Sequence, residues 1–226
     1  MKRLSWIGLA LTAALAACGR PTDTAKPPPV AAGPLVERDG PIRWNASSGA
    51  FELAGKPLKT VKLWTFDGST EGFVPVGSKI IPAPGTGLSV TVADPTLRSP
   101  KGLNVPGGQF PLVLVRLTRT APAGAWDGAL YYSTAHHGEG IGFFGKPVSG
   151  ADPAVGETTT LIYDMSRQAA GAPDWSQSTI DQIRLDLEDR AGGVFLIRQI
   201  AIAANPDPAA IAPAPPPAAS AKPAAN

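Results

Sequence analysis

The rhythm of its breaks constrains this chain most. Short apolar runs, several alternating with polar residues at every second position, are cut by Gly, Pro, Asp and Ser. Gly and Pro number 25 each, and no window offers a convincing long amphipathic helix. Strands are expected at Val61–Phe66, Leu88–Val92, Phe110–Thr118, Ala129–Thr134, Thr158–Tyr163, Ile180–Leu187 and Val194–Ile202. In Ile180–Leu187, Ile183, Leu185 and Leu187 point one way, and Arg184, Asp186 and Glu188 the other. Pro173–Asp181 reads as one short helical turn. Pro41–Trp44 and Ala50–Leu53 read as an edge hairpin packing on the rest. Seven or more strands at this spacing, with Gly-rich turns between them, predict an all-β sandwich. Val36–Asn205 is long enough to bury roughly 70% of its unfolded surface. No internal repeat is visible.

Both ends have a different composition. Met1–Arg3 is basic, Leu4–Leu15 is apolar but too short to span a bilayer, and Ala16 and Ala17 are small. That order is the layout of a secretory signal peptide. Gly19–Leu35 carries Pro at 21, 27, 28, 29 and 34 and reads as a tether. Pro206–Asn226 is mostly Ala and Pro and reads as a disordered, polyproline-II-like tail: a solvated spacer, a ligand for a proline-binding partner, or a segment threading through the cell wall. Of 20 basic and 18 acidic residues, Lys2 and Arg3 fall in the leader, which leaves a balance of 18 against 18. A neutral chain with scattered basic residues has no electrostatic reason to bind nucleic acid. A single cysteine excludes a disulfide framework and any multi-Cys metal site.

The one cysteine, Cys18, directly follows Leu15-Ala16-Ala17. This string resembles the lipobox of bacterial lipoproteins. The resemblance implies cleavage before Cys18, a diacylglyceryl group on its thiol, and an acylated new amine. Two or more acyl chains anchor a protein stably, whereas one anchors it marginally. The same resemblance implies that Gly19 favours an outer over an inner membrane. The competing reading is a plain signal peptide followed by an incidental Cys.

From Leu63 to Ile202 the order of landmarks resembles the galactose-binding-like jelly-roll domains, which include carbohydrate-binding modules of bacterial glycosidases and polysaccharide lyases. The landmarks are Trp64-Thr65-Phe66-Asp67, Glu71-Gly72-Phe73, Arg98-Ser99-Pro100, the apolar strand Leu112–Leu117 with its late Arg116, and the aromatic strand Leu130–Tyr132. Asp174-Trp175 then precedes a run with Thr179, Ile180, Ile183, Arg184, Leu185 and Asp186, and a Gly pair leads into the closing strand. The resemblance implies a jelly-roll sandwich that binds glycan without catalysis. Two residues depart from the pattern. Phe73 stands where Trp is frequent, and Arg198 stands where an acid can help to hold a structural calcium ion. Calcium wants six to eight oxygens, several of them anionic. Arg198 therefore disfavours the ion, and an Arg198–Asp67 ion pair is expected to fill its place.

Sugar recognition needs flat apolar faces and planar polar groups. Trp126, Tyr131, Tyr132, Phe143 and Phe144 offer the first; Arg116, Asp127, His136, Arg184 and Asp186 offer the second. The competing reading is a packed core and a solvated face, with Arg184 and Asp186 a surface ion pair of little worth. In Tyr131-Tyr132 one ring is expected in the core and one outside it. His136-His137 with Glu139 lacks a third ligand of metal spacing and reads as a loop. Gly140-Ile-Gly142-Phe-Phe-Gly145 fits G-x-G-x-x-G, but Pro147 and Pro153 leave no helix to receive a phosphate. No G-x-S-x-G, HExxH or P-loop occurs. Asp186 and Glu188 have a spacing common by chance, so use as a glycosidase carboxylate pair is not expected. The first expectation is a lipid-anchored glycan binder of the cell envelope, not an enzyme and without a cofactor. The second is an assembly lipoprotein whose sandwich docks an envelope protein.

Overall fold

The computed structural model describes residues 36–211, apart from positions 84, 86, 122–125, 149–151, 169 and 172. The leader, Cys18, the tether and residues 212–226 lie outside the described residues. The described residues form fourteen strands. In order they are β1 (Val36–Glu37), β2 (Ile42–Asn45), β3 (Ala50–Leu53), β4 (Lys56–Pro57), β5 (Thr60–Trp64), β6 (Val74–Ala83) and β7 (Gly87–Arg98). They continue with β8 (Val105–Pro106), β9 (Leu112–Ala121), β10 (Trp126–Thr134), β11 (Phe144–Gly145), β12 (Glu157–Asp164), β13 (Thr179–Glu188) and β14 (Val194–Ala203). The short helical turn expected after Pro173 is α1 (Asp174–Gln177).

Eleven strands form one curled sheet that closes into a jelly-roll sandwich. The first layer runs β1-β12-β9-β14, with β5 also on β14. The second runs β11-β10-β13-β7, with β6 on β7 and β8 on β13. Strand β7 belongs to both: Leu88–Thr91 pair with β14, and Thr96–Arg98 pair with β13. The core between the layers takes Val113, Val115 and Leu117 of β9, Leu130 and Tyr132 of β10, Ile183, Leu185 and Leu187 of β13, and Trp175 of α1.

The run Leu112–Leu117 does not alternate because both of its faces are covered. Val113, Val115 and Leu117 enter the main core, while Leu112 and Leu114 enter a second apolar cluster on the outer side of the first layer. The lid over that side is the expected hairpin β2–β3 extended by β4, which contributes Ile42, Phe51, Leu53 and Leu58. Ile211 packs into the same cluster and is 2% exposed. Packing thus continues past the Asn205 boundary expected from the Ala/Pro composition, because one large apolar residue in that stretch has a cluster to join.

Strands β5, β6 and β7 also differ from expectation, β7 by running on past Val92 to Arg98. Strand β5 stops at Trp64, and Phe66 takes φ +55. The Glu71 carboxylate accepts from the Thr65 and Phe66 backbone N–H groups at 2.8 Å each, which ties the turn in place of a ladder. The ten-residue β6 was not expected at all, since it contains Pro75, Gly77 and Pro82. It pairs with β7 alone and slips register around Gly77. An edge strand tolerates residues that cannot donate to a second neighbour.

Candidate functional site

The outer face of the second layer carries one continuous cross-strand row. Phe144 pairs with Tyr131, Tyr131 with Arg184, Arg184 with Arg98, and Arg98 with Val74. Five strands about 4.8 Å apart make this row roughly 19 Å long. The next row places Asp186 between Ala129 and Thr96, with Val76 beyond. Alternation is the cause: Leu130, Ile183 and Leu185 point into the core, so Tyr131, Arg184 and Asp186 point out.

At one end of the row the Tyr131 and Phe144 rings stack, 5.4 Å between centroids and 29° between planes. The Arg184 guanidinium lies 4.1 Å from the Tyr131 ring centroid, within cation–π range. Arg184 Nε donates to Asp186 Oδ1 at 2.7 Å, Nη1 donates to Glu139 Oε2 at 2.9 Å, and Nη2 pairs with Asp186 Oδ2. Glu139 also accepts from Arg98 Nε at 2.8 Å and Nη2 at 2.7 Å. Arg98, Glu139, Arg184 and Asp186 therefore form one alternating network over this face. Burial pushes the Glu139 carboxyl up, but hydrogen bonds from Arg98 and Arg184 outweigh it and hold the group below the usual carboxylate range. For Arg184, burial pushes the pKa down, and Asp186 and then Glu139 more than reverse that. Burial and the Asp186 charge raise the Tyr131 phenol, which keeps it a neutral donor. An open groove of about 610 Å³ adjoins the Arg98–Val74 end of the row, where Glu139, Lys101 and Gln182 also line it.

The other expected residues lie elsewhere. Tyr132 is the core member of its pair: it is fully buried, and its hydroxyl donates to Asp174 Oδ2 at 2.8 Å. Arg116 lies on the outer side of the first layer, where Glu37 accepts from Nε at 2.9 Å and from Nη2 at 3.0 Å. Trp126 packs at the core rim, 6.0 Å from Phe195 and 5.8 Å from the Arg119 guanidinium. Asp127 is bound to Lys146 Nζ. His136 is exposed in a loop, its backbone N–H donating to Thr134 Oγ1 at 3.1 Å. His137 turns away to stack on Phe143 at 3.5 Å and to contact Asp174 Oδ2 at 3.0 Å. Glu188 is not on the solvent side with Asp186 but buried against Arg119. Each of these two acids is committed to its own arginine. Among the described residues, no cluster of three or more His, Cys, Asp or Glu is placed to hold a metal ion. The expected Arg198–Asp67 pair is not formed: Asp67 Oδ1 accepts from the Gly85 backbone N–H, and Arg198 Nε donates to Thr118 Oγ1 at 3.1 Å.

Sequence reasoning did not bring Arg98 and Glu139 to this face. Arg98 ends a strand interrupted by Pro95, and Glu139 sits in a Gly-bounded loop without period.

No protein-family model matches the chain, and no curated protein matches it. Among solved structures, it is similar to the CBM22-1 xylan-binding domain from Paenibacillus barcinonensis Xyn10C, with a TM-score of 0.44 and 14% sequence identity over 67% of this chain and 97% of that one.

Proposed function

We propose that the chain is a lipid-anchored protein of the bacterial cell envelope whose sandwich binds a polysaccharide without cleaving it. The observation that carries this reading is the row Phe144-Tyr131-Arg184-Arg98-Val74. A sugar ring has apolar C–H faces and a rim of hydroxyls. The stacked Tyr131–Phe144 pair supplies an apolar surface, and the adjoining Arg–carboxylate network supplies fixed donors and acceptors. Because the network orders its own side chains, binding loses little further rotamer entropy. The row is long enough for several sugar units, which favours a chain over a free monosaccharide. The acids here are salt-bridged, which suits them to accept hydroxyl hydrogens rather than to act as a proton-transferring pair.

Anchoring rests on the L-A-A-C string at Cys18 and is independent of the groove. The groove test is binding of the full chain to a panel of immobilised polysaccharides. Tyr131→Ala is expected to weaken binding about tenfold, near 1.4 kcal/mol, with an unchanged melting temperature. A wild-type chain inert against every polysaccharide would overturn the reading. For the anchor, Cys18→Ser is expected to move the protein out of the detergent phase; continued partition with membranes would remove Cys18 from the account.

A second reading, docking of an envelope protein, is favoured by one feature. Edge strand β6 exposes Val74 and Val76 at 55% and 50%. Capture by protein but not by glycan, lost in Val76→Lys, would decide for it.

A further inference from the structure

The opposite side of the sandwich has its own concavity. In β14 the core residues are Phe195 and Ile197, then Ile200 and Ile202, so strict alternation breaks once. The register shows where: Leu117 pairs with Ile197 and Arg116 with Gln199, leaving Arg198 as the extra residue of a bulge. A bulge presents two consecutive side chains on one side, and Arg198 and Gln199 both line a pocket of about 280 Å³ with Trp44, Thr65, Asp67 and Gly87. The β6–β7 turn closes against the bulge because position 87 has no side chain. A Cβ on Gly87, at φ +102, would lie 2.1 Å from the Ile197 carbonyl oxygen and 3.1 Å from Arg198 Cα.

Arg198 has no ion-pair partner among the described residues, and the one acid lining this pocket, Asp67, is bound instead to the Gly85 backbone N–H. Among the described residues, every other buried or half-buried arginine meets a carboxylate: Arg38 with Glu157, Arg98 with Glu139, Arg116 with Glu37, Arg119 with Glu188, and Arg184 with Asp186. Among the described residues Arg198 has only the Thr118 hydroxyl on its Nε, and its two terminal nitrogens have no acceptor there. Burial pushes its pKa down, the Arg116 charge adds to this, and Glu37 opposes it. Gln199 Oε1 accepts from Arg116 Nη1 at 3.0 Å, so its amide N–H groups are the ones left to donate.

We propose that this pocket binds a carboxylate-bearing sugar ring, a hexuronate, with the carboxylate on the Arg198 fork and the ring against Trp44. A guanidinium fork matches one carboxylate in a bidentate pair. One arginine without an ion-pair partner, with Asp67 in the same wall, suits a single negative charge at most; a phosphate dianion would want a second cation, and Arg116 is already neutralised by Glu37. Trp44 supplies an apolar wall, and the volume holds one ring rather than a chain. The site uses no residue of the Tyr131 row.

The test is titration of the ¹⁵N-labelled full chain with sodium glucuronate, read at the Trp44 indole N–H resonance. The expected result is a saturable shift that glucose at equal concentration does not produce. Arg198→Gln is expected to weaken the response at least tenfold, and Arg198→Lys, which keeps the charge without the fork, to weaken it less. Tyr131→Ala is expected to leave it unchanged, which separates this site from the groove. No saturable shift, an equal response to glucose, or an unaffected Arg198→Gln would each overturn the proposal. So would acetate or inorganic phosphate competing as well as glucuronate. The glucuronate, glucose and acetate arms need only the wild-type chain, so the proposal stays testable if a variant fails to fold.

Discussion

Arg119 and Glu188 meet where almost no water reaches, with side-chain exposures of 9% and 0%. Arg119 Nε and Glu188 Oε2 lack hydrogen-bond partners among the described residues. A pair of this kind contributes little net stability, yet removing one member leaves the other charge stranded. Glu188→Gln is therefore expected to lower the unfolding free energy by about 3–5 kcal/mol, measured by urea denaturation. A second residue-scale expectation concerns acid. In Glu139, Glu157 and Asp174, burial raises the pKa but hydrogen bonds to the carboxylate outweigh it, and all three are depressed. The partners are Arg98 and Arg184 for Glu139, Arg38 for Glu157, and His137 and Tyr132 for Asp174. A depressed carboxylate contributes stability that is fully present above its unfolded value, about 4, and is lost as pH falls through the folded value. Urea midpoints should thus hold level from neutrality to about pH 5 and fall below about pH 4, less steeply in Glu139→Gln.

At the scale of elements, what the sequence made legible follows what period two can encode. Strand β13 was readable because Ile183, Leu185 and Leu187 face a core and Arg184 and Asp186 face water. This also brought the middle of the cross-strand row within reach. Strand β9 was readable as a strand but not as to its faces, since both are covered. The Tyr131–Tyr132 pair was readable only as one in and one out; the phase is set by Leu130 entering the core. Strand β6 and the far half of β7 were hidden by Pro75, Pro82 and Pro95, which local rules treat as breaks and an edge position permits. Arg98 reaches the groove on one of those hidden stretches. The C-terminal turn is a similar case: its composition argues for no structure, but Ile211 finds Phe51 and Leu114 in its cluster. Truncation after Asn205 is expected to cost about 1–3 kcal/mol, seen as a lower melting temperature.

The molecule as a whole is asymmetric. Its first layer is covered on the outside by the β2–β3–β4 lid and carries the Arg198 pocket; its second layer has no such strand lid among the described residues, only the Glu139 loop, and carries the Tyr131 row. The described chain begins on the first layer, where Val36 pairs with Glu157, and leaves it at Ile211 on that layer's outer cluster. Both points of attachment to the rest of the polypeptide are therefore on the same side. If the proposed anchor holds the molecule from that side, the aromatic row would face the surroundings and the arginine pocket the holder, so that a long partner and a small one would approach from opposite directions.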